Sequence, residues 1–125
     1  MKNFLIYIFV LLPLIGCSQE GKVVVIDNIA TFEKEIKQEN VQLVDVRRTA
    51  EYEKGFIRNA LHIDVLQEDT FKEKVGKLDP QKPIYVYCHA GGRSKKASTI
   101  LLELGFKEIY DFSPGYKGWT KKSTN

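Results

Sequence analysis

The residues best suited to chemistry lie together in Tyr87-Cys88-His89-Ala90-Gly91-Gly92-Arg93-Ser94. A cysteine reacts as its thiolate, so what matters is how far the surroundings favour the anion over the thiol. Arg93 brings a full positive charge, and Gly91 and Gly92 allow a short loop to turn several backbone N–H groups toward one point. A lone cysteine after a strand is often only a buried hydrophobe. A packed core, however, has no use for two glycines and an arginine directly after it, whereas an anion-binding loop uses all three. The stretch describes a cradle for an anionic sulfur.

The flanking sequence positions that cradle. Pro83-Ile84-Tyr85-Val86-Tyr87 is a β-branched and aromatic run of strand length. Lys95 to Leu104 reads as a helix with Ala97, Ile100, Leu101 and Leu104 on one face and Gly105 at its C-terminal cap. Cys88 therefore ends a buried strand, and the loop after it runs into a helix N-terminus whose dipole also favours a negative charge. The Lys95-Lys96 pair reads equally well as added local field or as two solvated lysines.

The rest of the chain alternates in the same way. Val23 to Ile26 is a first strand; Asp27 or Asn28 then caps a helix with Ile29, Phe32 and Ile36 on one face. Val41 to Val46 is a second strand, nearly continuous in apolar character. Asp45 and Arg47 stand at its end, and the expected role for this pair is structural. Asp45 should lie at the same sheet edge as Cys88 and help to hold the loop without a direct chemical role. Ala60 to Val65 reads as a third strand carrying a partly buried His62, with no second ligand at metal spacing. A helix with Phe71, Val75 and Leu78 follows, stopped by Asp79-Pro80, and Ile109 to Phe112 is the last strand. Such alternation predicts a parallel sheet of about five strands covered on both faces, with any site at the carboxyl ends of the strands.

Length and composition set bounds. A chain of 125 residues, 28% charged and 43% hydrophobic, holds one ordinary globular domain. Its net charge of +3 is too small and too dispersed to argue for nucleic acid. The N-terminus is different in kind. Met1-Lys2-Asn3 is a short positive region, and Phe4 to Ile15 is an apolar run too short to span a bilayer, which needs about 20 residues. The run ends in Leu14-Ile15-Gly16-Cys17, which resembles the lipobox of bacterial lipoproteins. That resemblance implies cleavage before Cys17, lipidation of its thiol, and a membrane-anchored location in the bacterial cell envelope. The expected organisation is a signal peptide over 1–16, lipidated cysteine and tether over 17–22, a domain over 23–120 and a frayed end over 121–125.

Spacing decides between two chemistries for the cysteine loop. Cysteine phosphatases place five residues between Cys and Arg; here Cys88 and Arg93 have four between them, which argues against a phosphatase or arsenate reductase. Cys88-His89-Ala90-Gly91-Gly92-Arg93-Ser94 instead resembles the Cys-x-x-Gly-x-Arg loop of the rhodanese (sulfurtransferase) family. The likeness continues through Asp45-Val46-Arg47, Glu51-Tyr52, Gly55-Phe56-Ile57, Asn59-Ala60 and the Gly115 to Trp119 element. Phe56 and Asn59 depart from it, standing where histidine and glycine are usual.

The resemblance implies a three-layer α/β/α rhodanese-like fold and a sulfurtransferase using a Cys88 persulfide. Residues His89 to Ser94 would bind substrate, with Arg93 and His89 attracting an anionic donor such as thiosulfate. The acceptor would be cyanide, a small thiol or a protein thiol, and no metal or organic cofactor is implied. The protein is expected to be a monomer. The competing expectation is a carrier that holds the persulfide and delivers it to a protein partner with little small-molecule turnover.

Overall fold

Strands and helices alternate along the whole of the computed structural model, which describes residues 20–124. They are β1 (Lys22–Ile26), α1 (Ile29–Glu35), β2 (Gln42–Asp45), α2 (Thr49–Glu53), β3 (Leu61–His62), α3 (Glu68–Val75), β4 (Ile84–Tyr87), α4 (Gly92–Glu103), β5 (Glu108–Phe112) and α5 (Gly115–Lys122). The leader and Cys17 lie outside the described residues. Among the described residues, no helix is long and apolar enough to cross a membrane.

The five strands form one parallel sheet in the order β1-β5-β4-β2-β3. β4 is central because every residue of Ile84-Tyr85-Val86-Tyr87 is buried, and a strand with no polar face needs cover on both sides. On one face Val44, Val86 and Ile109 meet Phe71 and Val75 of α3 and Ala97, Ile100 and Leu101 of α4. On the other, Leu43, Tyr85 and Phe112 meet Phe32 of α1, with Tyr116 and Trp119 of α5 packed beside them. Phe32 stacks on Phe112 with 3.9 Å between ring centroids, and the Trp119 ring meets it edge-on at 6.0 Å. This is the three-layer α/β/α arrangement that the alternation predicts.

The strand order turns back between β2 and β4, which makes their carboxyl ends the switch point of the sheet. Asp45 and Tyr87 are in register there, and the Val46 N–H continues the ladder to the Tyr87 carbonyl. Cys88 is the next residue.

Four elements differ from the sequence reading. α3 ends at Val75, short of Leu78 and the expected stop at Asp79-Pro80, because Gly76, a poor helix former, caps it. β3 is regular only over Leu61 and His62 rather than Ala60 to Val65; the Ile63 and Val65 N–H groups still donate to the Asp45 and Val46 carbonyls, and the Asp64 carboxylate, accepting the Leu66 N–H, ends the extended run. α4 begins three residues early, at Gly92, because Gly91 takes a left-handed conformation and delivers the chain directly into the helix. The segment expected to fray from Lys121 instead continues α5 to Lys122, whose ammonium pairs with Glu33 of α1. Pro114, Gly115 and Gly118 hide that last helix from a propensity reading.

Candidate active site

The loop after β4 is gripped from outside by the N-terminus of α5. The Tyr116 N–H donates to the Cys88 carbonyl at 2.8 Å and the Lys117 N–H to the His89 carbonyl at 3.1 Å. This close approach needs Gly115, which has φ +61° and where a Cβ would overlap both carbonyls. With its carbonyls held outward, the loop has its N–H groups free to face the sulfur. The Gly91 N–H donates to the Cys88 Sγ at 3.0 Å, and the left-handed Gly91 (φ 99°) makes the inward turn possible. Ser94 Oγ lies 3.5 Å from the sulfur and donates to the Gly91 carbonyl at 3.2 Å. In turn, Ser98 Oγ donates to the Ser94 carbonyl at 2.9 Å and fixes the first turn of α4.

These contacts decide the protonation balance. Burial of Cys88 pushes its thiol up, since charge is disfavoured away from water. The Ser94 hydroxyl and the N–H groups of Ser94, Gly91 and Ala90 outweigh that, and the thiol ends below its ordinary value. Four hydrogen-bond donors prevail over desolvation. The sulfur sits at the bottom of the loop, only 1% of Cys88 being exposed, under a rim formed by exposed His89, Ala90 and Gly92.

Arg93 does not point at the sulfur. Its guanidinium forks onto Glu51 of α2, with Nη1–Oε1 and Nη2–Oε2 distances of 2.5 and 2.9 Å. The Arg93 hydrogen bonds hold the Glu51 carboxyl well down, to about 2, and raise the guanidinium in return. The one cation of the loop is already paired with a carboxylate from another helix.

Asp45 and Arg47 lie behind the loop, fully buried against each other. The Asp45 carboxylate accepts the Arg47 backbone N–H at 2.9 Å and the guanidinium through Nε at 3.0 Å and Nη2 at 2.6 Å. Nη2 also donates to the Gly55 carbonyl at 2.7 Å, and the guanidinium lies 4.1 Å over the Tyr116 ring. The pair thus reaches the loop indirectly, through the tyrosine whose backbone holds the Cys88 carbonyl. A buried pair of this kind is retained at a desolvation cost, and removing one partner leaves an uncompensated charge. His62 hydrogen-bonds the Arg47 carbonyl through Nε2 at 2.6 Å and belongs to the same support.

The structure therefore brings Cys88, Ala90, Gly91 and Ser94 together on the sulfur. It places His89 and Gly92 on the rim, Arg93 on Glu51, and Asp45 and Arg47 in a supporting layer. Gly92 needs no special backbone conformation, and a Cβ there would meet open space, so of the two loop glycines it is Gly91 that uses its conformational freedom. The two departures from the family pattern are absorbed away from the sulfur. Phe56 stacks on Tyr52 at 4.2 Å, which stacks on His62 at 4.7 Å, and Asn59 is exposed without a positive φ. Sequence reasoning missed the role of Glu51. Glu51 had a signal, since it heads the Glu51-Tyr52 pair of the family pattern.

The chain is similar to known proteins over most of its length. The rhodanese-like domain family matches residues 28–122. The thiosulfate sulfurtransferase GlpE of Coxiella burnetii is 36% identical over 84 residues, covering 67% of this chain and 76% of that protein. The putative sulfur carrier protein YrkF of Bacillus subtilis is 30% identical over 97 residues, covering 77% of this chain but only 51% of that protein. Among solved structures, the human single-domain sulfurtransferase TSTD1 superposes with a TM-score of 0.65 at 21% identity, covering 80% of this chain and 96% of that one, which is a likeness of fold.

Proposed function

The chain belongs to the rhodanese-like domain family, and from that premise we propose that it is a sulfurtransferase working through a persulfide on Cys88. The observation that carries the proposal is the Gly91 N–H donating to the Cys88 sulfur, with the Ser94 hydroxyl 3.5 Å from it, in a loop with four residues between Cys88 and Arg93. The Cys88 thiolate attacks the outer sulfur of a thiosulfate-like donor. A new S–S bond forms to Cys88, the donor's own S–S bond breaks, and sulfite leaves with the electron pair. A nucleophilic acceptor such as cyanide or a thiolate then attacks the terminal sulfur, takes it, and returns the thiolate to Cys88. The inward N–H groups hold the anionic sulfur in both half-reactions, as a preorganised cradle does without reorganising. Two half-reactions sharing one covalent intermediate give ping-pong kinetics. Initial rates with thiosulfate and cyanide test this: parallel double-reciprocal lines are expected, and their absence together with efficient aryl phosphate hydrolysis would overturn the assignment.

A second reading, a persulfide carrier serving a protein partner, is favoured by one specific contact. Because Glu51 already occupies the fork of Arg93, little unpaired positive charge faces a free dianion. On that reading Cys88 accepts persulfide sulfur readily but turns over thiosulfate slowly. The lipobox-like Leu14-Ile15-Gly16-Cys17 supports a place on the membrane of the cell envelope, with the domain held by lipid on Cys17. More than one acyl chain is needed for stable anchoring, a condition that lipoprotein processing meets.

A further inference from the structure

The N-terminal segment joins the domain at one fixed point. The Lys22 N–H donates to the Lys107 carbonyl at 2.9 Å, which ties down the amino end of β1. Just before it, Gly21 lies pressed against the chain that follows α4. A Cβ there would overlap the Phe106 carbonyl and crowd the Leu102 side chain. Leu102 and Leu104, at the end of α4, are 40% and 43% exposed on this side of the domain. Cys88 lies at the opposite end of the sheet, past the carboxyl end of β4.

Strand geometry gives the separation. Lys22 pairs with Glu108 and Val86 with Asp111, three steps further along β5. Cys88 stands two residues past Val86 and Gly21 one before Lys22, so six steps part them, about 20 Å at about 3.3 Å each. Between Cys17 and Gly21 there are only Ser18, Gln19 and Glu20. Four peptide units reach about 14 Å at full extension, and less in any other conformation. For the rim of the cysteine loop to touch a bilayer, Gly21 would have to stand about 20 Å above it. A Cys17 held at the surface by lipid does not allow that height.

We infer that a lipid-anchored Cys17 keeps the Cys88 loop off its own bilayer, so that the sulfur site exchanges sulfur with a water-soluble thiol and not with one carried at the membrane surface. The inference rests on the lipid-anchor reading of Leu14-Ile15-Gly16-Cys17 and on the persulfide reading of Cys88. The short tether acts as a ruler. It lets the domain lean onto the edge around Leu104 but not turn over onto the loop.

The test is cross-linking of the full-length protein, purified from membranes and reconstituted into phosphatidylcholine vesicles doped with a maleimide-headgroup lipid. In a Cys88→Ser background, single cysteines replace exposed His89 on the rim and exposed Leu104 beside the tether. Lipidation occupies the Cys17 thiol, so only the introduced cysteine reacts. Cross-linking is irreversible and collects even rare contacts; each rate is divided by the rate with a soluble maleimide. Leu104→Cys should cross-link to lipid, and His89→Cys at least about tenfold more slowly, because a tether that cannot span the gap gives almost no effective concentration. Inserting about 20 Gly/Ser residues between Ser18 and Gln19 adds a span of about 25 Å and should bring the two rates within about twofold. Ala90→Cys, on the same rim, repeats the measurement should His89→Cys not fold. Equal cross-linking of rim and Leu104 positions on the native tether overturns the inference, as does a lengthened tether that leaves the difference unchanged. Flotation with the vesicles reports on the premise separately. A protein that does not float refutes the lipid anchor and the inference with it, whereas one that floats and cross-links equally at both positions refutes the inference alone.

Discussion

Replacing Ser94 by alanine asks which groups make the Cys88 thiolate. While Cys88 is a thiol, the Ser94 hydroxyl donates to the Gly91 carbonyl; once the sulfur is charged, the same hydroxyl can turn to it across 3.5 Å. A hydrogen bond to a charged group contributes about 1.5–3 kcal/mol, and this long contact belongs at the lower end. At about 1.4 kcal/mol per pKa unit, its loss raises the thiol by roughly one unit. The sign is fixed, because the bond favours the charged form and removing it favours the thiol. Arg93→Ala removes a full charge, but one that is partly solvated and held by Glu51. Screening of such a pair limits its effect to about half a unit. The assay is the rate of alkylation of Cys88 by neutral iodoacetamide as a function of pH, in the native protein and both variants. The midpoint should rise by roughly one unit in Ser94→Ala and clearly less in Arg93→Ala. If Arg93→Ala moves it by more than about one unit and Ser94→Ala leaves it in place, the side-chain charge and not the loop makes the thiolate, and this account is wrong.

Other contacts predict their own outcomes. Glu51→Gln should free Arg93 for an anionic donor and lower the KM for thiosulfate about two- to fivefold with little change in kcat, the scale of a half-exposed ion pair; a raised KM would make Glu51 a positioning residue instead. The same substitution should alter acid stability. The depressed Glu51 carboxyl stabilises the fold above its ordinary titration range and loses that contribution as pH falls toward about 2, so urea denaturation across that range should be less pH-dependent in Glu51→Gln. Gly91→Ala should cost about 1–2 kcal/mol, the usual penalty for a side chain in the left-handed region, because Gly91 has φ 99° and its Cβ would crowd the Ser113 carbonyl. Gly92→Ala should melt at or slightly above the native temperature, since alanine is the better helix former; equal melting of the two variants would refute the role given to Gly91. Cys17→Ser should release the protein from membranes or leave its leader uncut, and a cleaved, membrane-bound Cys17→Ser protein would contradict the lipid anchor.

Most of the fold was legible because its signals are local. The apolar run at Ile84 to Tyr87 marks a strand buried on both faces, and the alternation of such runs with helical patterns implies a parallel sheet. The position of Cys88 at the carboxyl end of that strand, next to a glycine-bearing loop, was equally readable. What escaped depends on distant parts of the chain. Glu51 meets Arg93 across 42 residues, and no spacing rule joins them. The grip of Tyr116 and Lys117 on the loop carbonyls arises from a helix whose Pro114 and glycines conceal it. β3 is regular over only two residues, although Ile63 and Val65 still bond to the end of β2, because the Asp64 side chain turns back onto the Leu66 N–H, which propensity does not weigh.

The most direct measurement is the intact mass of the full-length protein after incubation with a sulfane sulfur donor, thiosulfate or a persulfide, followed by removal of the excess. The account predicts a gain of one sulfur atom, located on Cys88 by peptide mapping, lost on adding cyanide with formation of thiocyanate, and absent from Cys88→Ser. A protein that stays unmodified with both classes of donor, while its Cys88 still alkylates readily, would contradict a persulfide at this loop and with it the proposed function.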